Sequence, residues 1–357
     1  MNRPLPLIAI LCFAAASVAA ATSPFISSID PDSGPVAGGT VVTIRGSGFT
    51  TDSCGPIDPS RCLLQTVYFG SQRAAMVQFL DDTRIVVTTP AHLPSATEVV
   101  VTGHGWTISK KNAYTFTGDP TSAFARILIP ILVPPVQGQF GSQFVTELRA
   151  RSFQIDPSLY MFGIPYCDCP QRTVLADDPY PVYGTSGLNG FPSTDLIPSD
   201  TMNGAPGRIV FVEAASASKL SMNLRVHDTS RIGITLGAEV PVVPDSAFKS
   251  TPFVLLGVAA DARYRNTLRI YSPEPGVAPV VRVTIDQSPQ SVTLRPGRDM
   301  FDPGYFEMTL PPRFQSGSTI NTIPVTIEPL TTGARVWAFI SSTNNDTQQV
   351  TVIAPRP

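Results

Sequence analysis

Proline occupies 36 of the 357 positions and is spread along the whole chain. Each one removes a backbone donor and clashes with the carbonyl a turn earlier, so long helices are interrupted wherever they might start. Between these breakers Val, Ile, Thr, Tyr and Phe gather in short runs, which is the composition of strands. Thr40–Arg45 shows the pattern clearly: Val41, Thr43 and Arg45 alternate with Val42 and Ile44, as in a half-buried strand. The chain is expected to be all-β.

The first residues read as an export signal, residues 1–21. Arg3 supplies the positive start, Leu5–Val18 the apolar run, and Ala19-Ala20-Ala21 the small residues of a cleavage site. The run is shorter than the roughly 20 residues a spanning helix needs. Cys12 follows Leu11 rather than a small residue and is expected to leave with the peptide. The second apolar run, Ile127–Val136, is broken by prolines and reads as a buried edge strand. These features predict a mature chain without a transmembrane segment, either secreted or held in the cell envelope or periplasm. About 335 residues remain, enough for two or three domains.

Charge narrows the partners. Charged residues are 15% of the chain and the net charge is −2. That leaves no basic excess of the kind a nucleic-acid surface requires. Four cysteines survive processing, an even number suited to an oxidising compartment. Cys54 and Cys62 sit in one turn-rich loop and are candidates for a disulfide that pins it. Cys167 and Cys169 form Cys-Asp-Cys, open to a local disulfide, to thiol–disulfide exchange, or to a metal. Zinc wants four ligands and no His is near in sequence, so no metal or cofactor is assigned.

Residues 24–118 carry the most specific pattern. It begins Phe25-Ile-Ser-Ser-Ile-Asp-Pro-Asp-Ser-Gly34-Pro-Val-Ala-Gly38-Gly39-Thr40 and continues through Ile44-Arg-Gly46-Ser-Gly48-Phe49. Val67-Tyr-Phe-Gly70 and Ile85-Val-Val-Thr-Thr-Pro90 follow. This stretch resembles the IPT/TIG family, an immunoglobulin-like β-sandwich found in cell-surface receptors, secreted bacterial proteins and some transcription factors. The insertion that holds Cys54 and Cys62 departs from the shorter loop common in the family. The resemblance implies interaction with protein or carbohydrate through loops and an exposed sheet edge.

Two further β-sandwich units are expected, over 126–232 and 238–356. Phe144–Arg149 is similar to Tyr264–Arg269. Gly207–Phe211 leading to Asn223–Val226 is matched by Gly333–Trp337 leading to Gln349–Val352. The offset of roughly 120 residues suggests a duplicated unit.

No catalytic pattern emerges. His92 reads as a loop residue, and His227 and Asp228 are strand neighbours that point to opposite faces. Gly184-Thr-Ser186-Gly187 lacks the second glycine of a nucleophile elbow. Paired carboxylates can hydrolyse glycosides, yet nothing among the 27 acidic residues singles out a pair. Asp81-Asp82, Asp177-Asp178 and Asp30-Pro-Asp32 are calcium candidates by type only. The candidate binding residues are aromatic. His104 and Trp106 lie at a glycine-flanked hairpin tip, and Tyr166, Tyr180 and Tyr183 flank the Cys-Asp-Cys loop and a long polar loop. The expected function is non-catalytic: a secreted or cell-surface binding or scaffolding protein whose partner is an extracellular protein or a polysaccharide. The alternative is a carbohydrate-binding accessory or a polysaccharide-active enzyme.

Overall fold

A computed structural model describes residues 23–49, 66–103, 106–131, 135–152, 159–164, 180–182, 195–197, 206–230, 237–312 and 322–355. The protein is all-β, and the one α-helix among these residues is a single turn, Ala214–Ala217. The export signal, both cysteine pairs, His104, Tyr166 and Tyr183 lie outside the described residues. Contacts divide the chain into two units. The first runs to Pro90 and resumes over Ser95–Phe116; the second takes Ala91–Pro94 and everything from Thr117.

The first unit begins with β1 (Phe25–Asp30), β2 (Ser33–Pro35), β3 (Val41–Ser47) and β4 (Thr66–Phe69). Then come β5 (Gln72–Arg73), β6 (Met76–Asp81), β7 (Arg84–Thr88), β8 (Ser95–Gly103) and β9 (Trp106–Thr117). They form two antiparallel sheets, ordered β1-β3-β7-β6 (sheet I) and β2-β9-β8-β4-β5 (sheet II). The alternation in β3 sets its faces: Val42 and Ile44 are fully buried and pair with Val87 and Ile85 of β7. From sheet II, Val67, Phe69, Val101 and Tyr114 complete one apolar cluster with them. Gly46 is required here, since a Cβ on it would lie 2.0 Å from the Phe25 carbonyl oxygen.

The second unit opens with β10 (Phe124–Pro130), β11 (Val136–Gln137), β12 (Gln143–Ser152), β13 (Leu159–Phe162), β14 (Tyr180–Val182) and β15 (Asp195–Ile197). It continues with β16 (Gly207–Glu213), β17 (Leu220–Asp228), β18 (Ala238–Val240) and β19 (Val243–Pro244). Sheet III is ordered β14-β13-β16-β10-β19; sheet IV is β11-β12-β17-β18, with β15 also paired to β12. The expected edge strand is therefore internal. β10 pairs with β16 along its whole length and with β19 on its other side. Pro130 is its last residue, so the missing donor falls where the ladder ends.

The chain ends with β20 (Phe253–Ala259), β21 (Tyr264–Ser272), β22 (Val280–Ile285), β23 (Ser288–Thr293), β24 (Gly304–Leu310), β25 (Thr322–Pro329), β26 (Trp337–Asn344) and β27 (Val350–Ile353). Sheet V is β20-β25-β22-β23 and sheet VI is β24-β21-β26-β27. Leu255, Val283 and Val325 from sheet V meet Leu268, Ile270 and Ile340 from sheet VI in one core.

The suggested duplication does not extend to strand pairing. β12 pairs with β17, whereas its sequence counterpart β21 pairs with β24 and β26. Similar apolar spacing marks which face of a strand is buried; it does not fix the neighbour. His92 is a loop residue as expected, between β7 and β8, and the loop is buried there. It is 2% exposed, its Nδ1 lies 2.8 Å from the Leu93 carbonyl, and its ring packs edge-on to Phe162 at 5.5 Å.

A knot of charge ties the early strands of this unit to the later ones. Arg126 of β10, 11% exposed, donates from Nε to Asp245 at 2.7 Å and from Nη1 to the Pro273 carbonyl at 2.9 Å. Arg335 reaches the same Asp245 at 2.8 Å and Glu274 at 2.7 Å. Burial acts to raise the Asp245 carboxyl's pKa, and hydrogen bonds from Arg335 and Arg126 outweigh it and hold it below the usual range.

Candidate functional site

Strand β26 is buried on both faces, and the reason locates a groove. Ala338 and Ile340 point into the core under sheet V, while Trp337 and Phe339 point the other way and are 4% and 0% exposed. On that side β21, β26 and β27 face residues of β11, β12, β17 and β18 across a groove of about 200 Å³. Its walls are apolar, including Phe144, Val226 and Val240, and its floor carries Thr267, Ser341 and Thr343. Arg269 lies on the floor and is neutralised there. It pairs with Glu307 at 2.8 Å, donates to Ser341 Oγ at 2.9 Å, and rests over the Phe339 ring.

The turn joining β11 to β12 stands beside this groove. Gly138, which lines it, accepts no side chain: a Cβ would lie 2.1 Å from Ser142 Oγ and 2.7 Å from the Phe144 ring. Phe140 and Gly141 follow with φ of +57° and +77°, two left-handed residues in succession. Tight hairpins favour that pair because it matches the strand twist, usually with Asn or Gly in the first place. A phenylalanine there is sterically strained, by roughly 1–2 kcal/mol. Its ring is 69% exposed, the most exposed large apolar side chain among the described residues. Nothing in the core requires an aromatic ring at this point.

Arg265 connects the turn to the floor. It shares a face of β21 with Thr267 and Arg269 and pairs across the ladder with Thr343. Its Nη1 donates to Gln139 Oε1 at 3.1 Å and its Nη2 to Gln348 Oε1 at 3.0 Å, with the guanidinium carbon 5.7 Å from the Phe140 centroid. Both acceptors are neutral amides. Burial lowers the Arg265 pKa, whereas Arg335 and Arg298 are raised, first of all by hydrogen bonds to their carboxylates.

The acids are differently placed. Asp81 is held below the usual range by Arg84 and by Thr83, and Asp119 by the N–H and hydroxyl of Thr121. At Asp302 burial opposes ionisation, yet Arg295 and Arg298 outweigh it and bring the pKa to about 2. The carboxyls of Asp81, Asp119, Asp245 and Asp302 are all shifted down. No cluster of three or more His, Cys, Asp or Glu suited to a metal occurs among them.

Of the residues singled out in the sequence, Trp106 opens β9 opposite Gly103 and packs half-buried on the core of the first unit. A Cβ on Gly103 would lie 2.3 Å from its indole, so the ring lies along the hairpin. Tyr180 opens β14 opposite Met161, at the edge of sheet III in the second unit. Phe140 and Arg265 were missed. The available signal was an aromatic residue inside Gly138-Gln-Phe-Gly141, where turns ordinarily take small polar residues.

Residues 24–117 match the IPT/TIG domain family, and this stretch of the chain is an immunoglobulin-like β-sandwich of that family. Two solved structures are similar over most of the chain. One is SGBP-B from a complex xyloglucan utilization locus in Bacteroides uniformis, 12% identical, with 93% of this chain and 99% of that one covered and a TM-score of 0.20. The other is the surface glycan-binding protein PbSGBP-B from Prevotella bryantii, 9% identical, with the same coverage and a TM-score of 0.20. That similarity is too slight to bear on function. No curated protein matches the chain. No helix among the described residues is long and apolar enough to cross a membrane.

Proposed function

We propose that this is a non-catalytic, exported binding protein of the secreted or cell-envelope compartment, and that its second unit holds a glycan. The observation that carries the reading is Phe140. A ring strained into the left-handed region, 69% exposed and placed next to a groove floored with hydroxyls, is a platform for stacking a sugar. Strain of this kind persists where function maintains it. The Thr267 and Thr343 hydroxyls on the floor offer donors and acceptors suited to sugar hydroxyls.

Asp81, Asp119, Asp245 and Asp302 are not tuned for hydrolysis. A glycosidase needs one carboxyl kept protonated near neutrality, which requires a raised pKa. The shifted carboxyls here move the other way and brace turns or strands. Tyr166, Tyr180 and Tyr183 stay in the proposal as further candidate sugar-binding residues.

The test is affinity electrophoresis of the mature chain, residues 22–357, on a panel of soluble polysaccharides. Retardation that is lost in Phe140→Ala, with no release of reducing ends, is the expected result. Release of reducing ends would overturn the non-catalytic part, and an unretarded chain on every polymer would overturn the glycan.

A protein partner is the second reading, favoured by the outer face of sheet I. Val41 and Met76, 62% and 61% exposed, flank Thr88 as its register partners on either side. Capture of a specific envelope protein, abolished by Val41→Lys, would favour that reading.

A further inference from the structure

Arg269 on the floor of the groove and Arg265 beside it differ in one respect. Arg269 has Glu307 at 2.8 Å, so its charge is compensated inside the protein. Arg265, two residues earlier on the same face, has no carboxylate in ion-pair range among the described residues. Its partners are the amide oxygens of Gln139 and Gln348, which orient a guanidinium without neutralising it. These two acceptors come from two different turns: Gln139 from the β11–β12 turn, and Gln348 from the β26–β27 turn, where it is 3% exposed. The site therefore holds a fixed positive charge next to an exposed ring.

Two of the five guanidinium donors are engaged by those amides. Three N–H groups remain, Nε–H among them, and adjacent donors on a guanidinium form a planar fork that matches the two oxygens of a carboxylate. An unneutralised charge in a partly enclosed position costs desolvation unless a counter-charge arrives. We propose that the ligand supplies it: the groove takes an acidic polysaccharide, with Phe140 stacking a sugar face and Arg265 pairing with the carboxylate of a uronic acid residue. This rests on the glycan reading above and specifies its substrate class. The chain as a whole is net negative at −2, which opposes generic attraction to a polyanion.

The test compares each polymer with its own neutral form. Polygalacturonate and alginate, and carboxyl-reduced samples of both, are titrated calorimetrically with the full mature chain. Dextran sulfate forms a separate arm. The expected result is uronate binding that weakens roughly 10- to 100-fold on carboxyl reduction, the size of a charged hydrogen-bonded pair. Arg265→Gln should remove that preference, and Arg265→Lys should restore part of it as a point charge without the fork. Thermal melts of both variants establish that they are folded. Equal binding of the acidic and reduced forms would overturn the carboxylate and leave the glycan reading standing. Binding of no polymer in either form would overturn both. Binding of dextran sulfate alone, unaffected by Arg265→Gln, would mean polyelectrolyte attraction and would also overturn the proposal.

Discussion

The guanidinium of Arg265 lies 5.7 Å from the centroid of the Phe140 ring, and the ring remains 69% exposed. One flank of the aromatic is thus held in place while the rest of its surface is left to solvent. Phe140→Gly separates stability from binding. Relief of the left-handed strain is worth roughly 1–2 kcal/mol. Against it stand an exposed cation–π contact of about 0.5–1 kcal/mol and glycine's chain entropy of similar size. The terms nearly cancel, so Tm should move by no more than about 2–4 °C. Glycan retardation should fall at least tenfold, measured on the same gels as the parent. A large drop in Tm would show that the ring is structural.

Asp302 should govern part of the acid stability. Its side chain is fully buried, and its carboxylate meets Arg295 at 2.9 Å and Arg298 at 2.7 Å. The folded pKa of about 2 is depressed below the ordinary 3.8, so the contribution is present above pH 4 and fades as pH falls toward 2. The shift converts to about 2.5 kcal/mol. The arginines are 41% and 62% exposed, and screening reduces that to about 1–2 kcal/mol. Urea midpoints of the parent and Asp302→Asn should differ at pH 6 and converge near pH 2. A constant difference across that range would contradict the assignment.

Arg126→Met should loosen the second unit from within. It removes the least exposed member of the charge knot and leaves Asp245 with Arg335 alone. A loss of about 2–3 kcal/mol is expected, below the full cost of breaking a buried pair because one partner survives. Trp337 is a suitable probe once Trp106→Phe removes the other tryptophan. An unchanged urea midpoint for Trp337 fluorescence would mean that the knot contributes nothing measurable.

Gly103→Ala should displace the indole of Trp106, which would lie 2.3 Å from the new methyl carbon. In a Trp337→Phe background the emission should shift to the red as the ring leaves the core. Overpacking of this kind costs about 1–3 kcal/mol. An unshifted spectrum would show that the hairpin yields instead of the ring.

How much of this was legible in the sequence varies with the length scale of the signal. β3 was readable because Val41–Arg45 alternates with period two and one face is core. Both faces of β26 were equally readable from Trp337–Ile340, an unbroken apolar run. The Pro-Ala-His-Leu-Pro segment is legible as a loop, but the burial of His92 against Phe162 is not, because that ring lies 70 positions away. The prolines of Ile127–Val136 point to an edge strand, yet they fall at or beyond the end of the β10 ladder. The groove could not be read at all. It depends on residues such as Phe144 and Val226 facing Thr267 and Thr343, and the bond from Arg265 to Gln139 beside it spans 126 positions, pairings of which a single sequence carries no trace.

Because β26 is both the floor of the groove and a wall of the core, occupancy and unfolding are thermodynamically linked. Any molecule that fills the groove must raise the melting temperature of the unit beneath it. Saturation at a hundred times the dissociation constant adds about 2.7 kcal/mol. A thermal-shift survey can therefore find a ligand for this protein before its chemistry is known, with Trp337 as the indicator.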